Sequence, residues 1–503
     1  MTADFLEKLV AQADRIPDAS ALGAVGKRAL TYRELADTVG RVAHNLGEAG
    51  FRPGDRMLFS IRPSVPSVLL IFGAIAAGGT IVFVDPGVGP ELFAKRVDLV
   101  EPSWAATESL LHAVSGPLSR FGRGLQLPRF GALDVRHIHS GVWVPGTPLS
   151  SIPLRRFTGD ARETVVPTSD PDAAALIVFT SGTTDEPKAV VHTRGSLSAG
   201  LLAMAGRTSL APGAFLHTEQ LMMGLPALMA GARWAIPRYP RFGTHIDPVR
   251  FTRNLRSATH AFYTPADLAV ALDAVELGAV SAPLQLRQVA LGGAPVTSAL
   301  LRRAQKSLPD TEFLAIYGMT EILPVAVATG TAKLAHDGDL LGAPVRGVEA
   351  RIADDGELVL SGPNLCRGYL GSEPLTEIAT GDLARWDGKE LVLTGRKKEM
   401  MIRGKTNIYP GLYEPAITAI DGVREAIMVG LPDEIGDERI VLAVVVEPEA
   451  GDIVALLRRR LPQLIDTTAV PDDIVVVDRI PVTGRTNKPD RAALRELVRG
   501  ILA

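Results

Sequence analysis

The sequence predicts an α/β protein in which a large, multi-subdomain N-terminal region precedes a small α+β C-terminal domain. Three observations predict it. Helix-period and strand-period patterns alternate up to Val84, and again from Ala173 to about Ala328. The texture then changes to short alternating strands across 342–395. Beyond Gly395-Arg396-Lys397-Lys398 the rest of the chain carries strand and helix patterns of its own, enough for a separate small domain. Strand–helix–strand alternation is the pattern of parallel sheets with helices on their faces.

The elements follow in order. Thr31 is an N-cap with Glu34 three residues on, a capping box for a helix whose apolar stripe is Leu35, Val39, Val42 and Leu46. The Arg52-Pro53-Gly54-Asp55 turn leads into a strand over Arg56–Ser60. The long uncharged stretch Val68–Val84 is broken by Gly78-Gly79 and ends in a β-branched run, so it reads as a buried helix, a turn and a buried strand, and not as a membrane span. Residues from about Pro102 to Pro153 are less regular and rich in Gly, Pro, Arg and His, as in an insertion or a partner-facing surface. Within them His137 and His139 sit two apart, on one face if the segment is a strand, with no obvious third metal ligand. Ala173–Phe179 is a continuous apolar run of the kind buried on both faces of a sheet. Asp354-Asp355-Gly356, between the alternating runs Val348–Ile352 and Glu357–Leu360, marks a hairpin, and Glu390–Thr394 is a further strand after Asp387-Gly388.

Composition narrows the classes. The chain has 503 residues, a prior of about three folding units. With 46% hydrophobic residues it has ample side chain to bury, which argues against disorder. Lys plus Arg (53) nearly balances Asp plus Glu (56), which disfavours a dedicated nucleic-acid binder. The single cysteine, Cys366, excludes an internal disulfide and a thiolate zinc site. The first residues carry Asp4 and Glu7 and no apolar core run, unlike a secretory signal, so the default expectation is the cytoplasm with no membrane span. Oligomeric state is not legible.

The strongest chemical signal is Phe179-Thr180-Ser181-Gly182-Thr183-Thr184-Asp185-Glu186-Pro187-Lys188, a hydroxyl- and glycine-rich loop directly after a buried strand. Such a loop can turn several backbone N–H groups and hydroxyls onto one anion, and Lys188 adds a point charge. The Walker A spacing is absent, which disfavours a P-loop kinase. Taken alone, the loop also reads as an ordinary Thr/Ser-rich turn, and Asp382, Glu321 and Lys488 as turn or solvated charges.

The joint pattern reverses those readings. Thr180–Lys188 resembles the phosphate loop of the acyl-adenylate-forming superfamily: acyl-CoA synthetases, adenylation domains of peptide synthetases, and luciferases. Tyr317-Gly318-Met319-Thr320-Glu321, Thr380-Gly381-Asp382-Leu383, Gly395-Arg396-Lys397-Lys398-Glu399 continuing to Gly404 and Asn407-Ile408-Tyr409-Pro410, and Pro481–Lys488 resemble its further motifs, in order and across essentially the whole chain.

The resemblance implies two α/β sandwich halves plus the β-rich module (342–395) in an N-terminal adenylation domain, 1–397. A mobile C-terminal domain, 398–503, would be hinged near Lys398. It implies an ATP- and Mg²⁺-dependent ligase that activates a carboxylic acid as acyl-AMP, releases pyrophosphate, and passes the acyl group to a thiol, coenzyme A first and a carrier protein second. Thr180, Ser181, Gly182, Thr183, Thr184 and Lys188 would cradle the β and γ phosphates. Thr320 would contact phosphate, Glu321 would hold Mg²⁺, Tyr317 would lie against adenine, and Gly293, Ala294 and Pro295 would also bind the nucleotide. Asp382 would accept the ribose hydroxyls with Arg396 beside it, and Lys488 would stabilise charge on the attacking carboxylate. After rotation at Lys398 the thiol would approach along Gly404 and Lys405. The acyl pocket would lie near His217, Met222, Gly292 and Gly318. No Asp stands where an α-amino group would need one, so an apolar or aromatic acid is favoured over an amino acid.

The sequence also departs from the pattern. Asp185 and Ala189 stand where glycine is usual, and a charge there is unfavourable beside a triphosphate. This leaves a non-adenylating ligand-binding homologue open. Lys405 stands where many CoA ligases have a second glycine. The run Glu321-Ile322-Leu323-Pro324-Val325 also resembles β-lactone synthetases, which let the substrate's own β-hydroxyl displace AMP.

Overall fold

In the computed structural model, Thr31 and Glu34 close the expected capping box, and the helix they open, Tyr32–Glu48, buries Leu35, Val39, Val42 and Leu46. The structure describes residues 4–85, 90–115, 127–159, 170–180, 188–240, 246–399, 401–403, 406–408, 410–432, 438–465, 469–483 and 488–502. The chain forms two compact units. One comprises Met1–Ala261, Gly318–Pro324 and Gly362–Thr376; the other comprises Phe262–Tyr317, Val325–Ser361 and Glu377–Ala503.

The first unit is built on a sheet whose strands run, edge to edge, Gly368–Tyr369, Lys188–Thr193, Ala174–Thr180, Thr80–Phe83, Arg56–Ser60, Trp104–Glu108, Arg136–Ser140 and Ile152–Pro153. The helix predicted from Val68 onward is Val65–Ala76, buried along nearly its whole length, and the following strand is Thr80–Phe83. Gly73 lets this helix lie against Tyr32–Glu48, because a Cβ there would meet Val42 Cγ1 at 2.2 Å. A second group of parallel strands, Ser20–Ala24, Arg233–Ile236, Phe215–His217 and His260–Ala261, completes the unit. The first helix, Phe5–Arg15, is anchored by a buried ion pair between Asp4 and Arg194 at 2.9 Å.

The segment read as irregular, 102–153, is corrected in part. Trp104–Glu108 and Arg136–Ser140 are full members of the sheet, paired in parallel. His137 and His139, each 5% exposed, stand where an apolar strand would carry Val or Ile, and so disguised the element. They do share a face, as expected. The expectation of parallel strands holds for most of this sheet, but Ala174–Thr180 and Lys188–Thr193 form an antiparallel hairpin.

In the second unit Gln288–Leu291 and Glu312–Met319 pair in parallel. The β-rich module is an antiparallel sheet ordered Asp339–Gly342, Glu390–Arg396, Ile378–Asp387, Glu357–Ser361, Glu349–Ile352, with the expected hairpin turning at Gly356. The C-terminal part centres on Glu438–Val446, flanked by Val423–Pro432 and Asp473–Val476. Its alternate residues serve two cores. Ile440, Leu442 and Val444 pack with Ile417, Leu457 and Leu461, whereas Val441, Ala443 and Val445 pack with Leu494 and Val498. Helices on both faces make every position from Ile440 to Val446 apolar, after the charged Glu438 and Arg439 at its start. Among the described residues no helix is long and apolar enough to cross a membrane.

Candidate active site

In the first unit Ser181, Gly182, Thr183 and Thr184, expected to form a phosphate loop, lie with Asp185 outside the described residues, but the strands on either side of them are defined. Thr180 ends one strand, Lys188 begins the next, and the two pair directly. Thr180 and Lys188 therefore stand on one rung of the sheet. Lys188 is exposed, and its ammonium lies 5.2 Å from the centre of the Tyr369 ring, a cation–π distance. The Tyr369 hydroxyl donates to Glu321 Oε1 at 3.0 Å. Burial, then the Glu321 charge, pushes the Tyr369 phenol well above its ordinary range, so it stays protonated and donates.

Glu321 is 6% exposed and sits in the turn after Thr320. The turn is held from two sides: His192 Nε2 contacts Thr320 O at 2.7 Å, and the Cys366 N–H donates to Glu321 O at 2.7 Å. Against a carbonyl, His192 Nε2 carries the proton. The Cys366 thiol is buried and pushed up to about 11, which leaves it protonated and unreactive. Among the described residues no group of three His, Cys, Asp or Glu could hold a metal ion. Mg²⁺ needs no such group, since it commonly takes one or two carboxylates and completes its shell with phosphate oxygens and water. The Glu321 carboxylate, a hard oxygen donor oriented by Tyr369, fits that mode.

The second unit carries a separate cluster. Tyr317 lies two residues before the end of the strand Glu312–Met319, and its hydroxyl donates to Asp382 Oδ2 at 2.6 Å. Arg396 Nε pairs with Asp382 Oδ1 at 2.8 Å, directly across the strand register. Thr380, the first residue of its motif, accepts from the Asp382 N–H at 3.1 Å and donates to Leu358 O at 2.8 Å. Asp382 is 6% exposed, and burial pushes its carboxyl above the ordinary range, opposed by the Arg396 charge and the Tyr317 hydrogen bond. Each carboxylate oxygen has one protein partner and retains a lone pair for a further donor. Lys488 begins a two-residue strand paired with Val482–Thr483. The residue is exposed overall, yet its ammonium lies close enough to feel both Arg396 and Asp382. Lost hydration, then repulsion by Arg396, lowers its pKa against the pull of Asp382.

His217 is fully buried. Its ring stacks on Phe251 at 4.5 Å and Nδ1 donates to Ala235 O at 3.2 Å, so the neutral ring presents Nε2 as an acceptor. Burial pushes its pKa down to about 4. Met222 and Gly318 are half-buried; in the second unit Gly292 is buried, Ala294 half-buried, and Gly293 and Pro295 exposed. Gly404, Lys405 and Tyr409 lie outside the described residues, as does the Lys398 side chain.

The sequence reading missed Tyr369 and His192. His192 was within reach, since it lies four residues beyond Lys188 on the same strand face. Tyr369 was not, because only the register Tyr369↔Val190 brings it to the site.

The family model described as "AMP-binding enzyme" matches residues 9–370, and that of the AMP-binding enzyme C-terminal domain matches residues 413–487. The chain belongs to the AMP-binding enzyme family. This AMP-binding enzyme is 29% identical over 510 residues to a feruloyl-CoA synthase of an Amycolatopsis species, covering 91% of this chain and 92% of that one. Its fold matches the amide bond synthetase McbA of Marinactinospora thermotolerans at a TM-score of 0.81 (23% identity, 98% of this chain and 99% of that one). It also matches ATP-bound MatB of Rhodopseudomonas palustris at 0.80 (22% identity, 100% of each). The expected fold class and family thus stand.

Proposed function

We propose that this AMP-binding enzyme is an acid–thiol ligase that activates a carboxylic acid with ATP, releases pyrophosphate, and transfers the acyl group from acyl-AMP to coenzyme A. The observation that carries the reading is Asp382, held by Tyr317 and Arg396 with lone pairs to spare and Lys488 within electrostatic reach. A buried carboxylate so held suits two adjacent ribose hydroxyls. Lys488 supplies positive charge where the carboxylate attacks the α-phosphorus, the point at which two anions must meet. Lys188 and the loop that closes on it would take the β and γ phosphates. Thr320 would contact phosphate, and Glu321 would hold Mg²⁺, which when bound would neutralise phosphate charge. Lys398 is the proposed pivot that exchanges Lys488 for the thiol route along Gly404 and Lys405, with the C-terminal domain taken as 398–503. The kinship with a feruloyl-CoA synthase supports an aromatic acid and coenzyme A. His217, as a neutral acceptor, supports a substrate that carries a hydrogen-bond donor.

The test is a panel of aromatic and apolar acids with ATP and Mg²⁺, read as pyrophosphate release, followed by coenzyme A and mass detection of the thioester. Release from no acid overturns the adenylation reading. Release without thioester overturns the choice of acceptor and favours an internal hydroxyl or a carrier protein.

A further inference from the structure

Glu357 joins the two segments on which the nucleotide reading depends. Its Oε1 accepts the Gly381 N–H at 2.8 Å, and its Oε2 accepts from Lys397 Nζ at 2.8 Å. Gly381 immediately precedes Asp382, and Lys397 immediately follows Arg396. One carboxylate therefore grips the neighbours of both members of the Asp382–Arg396 pair. Gly381 adopts φ +76°, a corner with wide backbone freedom that a held N–H narrows. The Glu357 side chain is only 14% exposed, so its bonds are poorly screened. Lys397 is shared with Asp355 Oδ2 at 2.6 Å, and the two acids hold its ammonium charged, well above the ordinary lysine range. Three strands of the module, Glu357–Ser361, Ile378–Asp387 and Glu390–Arg396, are thereby tied together at their site-facing corner.

We infer that Glu357 and Lys397 are positioning residues for the AMP moiety: they fix where the Asp382 carboxylate stands without touching the ligand. The inference rests on the proposed ribose role of Asp382. The brace lies on the N-terminal side of Lys398, so it serves ATP in the first half-reaction and acyl-AMP in the second equally.

The test uses the full chain with Glu357→Gln, Lys397→Met, the double variant, and Lys397→Arg, titrated with AMP and assayed for ATP dependence. Glu357→Gln keeps an acceptor for the Gly381 N–H and loses only the charge facing Lys397, so the fold is preserved; melting temperatures check this. Each single variant is expected to weaken AMP binding on the order of fivefold, as for loss of one network coupling. KM for ATP and for supplied acyl-AMP should rise by that same factor, with kcat little changed. The double variant should be no worse than the worse single, and Lys397→Arg should restore binding. Single variants that bind AMP like the parent, or losses that add in full, overturn the inference. A parent chain that binds no AMP overturns the reading of Asp382 and the inference with it, a result distinct from parent and variants binding alike.

Discussion

Tyr369 donates its phenolic proton to Glu321 Oε1 across 3.0 Å, from a strand edge far from Glu321 in the sequence. A charge-assisted bond of this kind is worth about 1.5–3 kcal/mol. Tyr369→Phe should therefore free the Glu321 carboxylate to rotate, raising the Mg²⁺ concentration needed for half-maximal pyrophosphate release on the order of tenfold. A Mg²⁺ titration identical to the parent's would show that Tyr369 does not orient a metal-binding carboxylate.

Lys488→Ala should lower adenylate formation on the order of a hundredfold or more, the scale seen when one donor to a developing charge is removed. Thioester formation from supplied acyl-AMP should suffer far less, and equal loss in both steps would contradict the role. The ammonium must be protonated to act, and its pKa is lowered. The alkaline limb of the adenylation rate should accordingly arrive below the pH at which an ordinary lysine titrates, and should vanish in Lys488→Ala.

His112 is 1% exposed, and neither ring nitrogen has a partner among the described residues. Burial first, then the charges of His137 and His139, pushes its pKa down to about 4 from the ordinary 6.5. The unfolded chain takes up this proton before the folded one does. The His112 contribution to stability is thus complete above 6.5 and lost progressively as pH falls to about 4. Melting temperature should fall over that window, and His112→Leu should flatten the fall. An unchanged slope in the variant would locate the acid sensitivity elsewhere.

Gly224 packs against the fully buried Trp234, where an added Cβ would lie 2.2 Å from Cε2 of the indole. The indole cannot swing away freely, because its N–H donates to Thr218 O at 2.9 Å. Gly224→Ala should cost about 1–3 kcal/mol, read as a lower melting temperature or denaturation midpoint. A neutral result would mean that the helix Leu221–Met229 shifts to make room.

Much of this architecture is written locally. The Thr31 capping box, the buried helix that starts at Val65 and the Gly356 hairpin each follow from short-range rules that the tertiary structure does not override. Trp104–Glu108 and Arg136–Ser140 escaped because each is only five residues long and the second spends its inward positions on histidine. The motif residues were legible as a set, but their support was not. The Glu357 carboxylate reaches Gly381 and Lys397 through cross-strand register, and His192 and Tyr369 act through a sheet whose strand order the sequence does not state.

The strand Lys188–Thr193 works as a ruler. Lys188 stands at its first position and His192, which grips the Thr320 carbonyl, at its fifth, about 13 Å apart along an extended chain. Because Thr180 and Lys188 close the 181–187 segment at a shared rung, residues gained or lost inside that segment leave the interval between cation and turn untouched. A single residue inserted between Lys188 and His192 would instead reverse one of them to the opposite face. The distance from cation to turn is therefore set by the strand alone, and a change confined to 181–187 leaves it as it is.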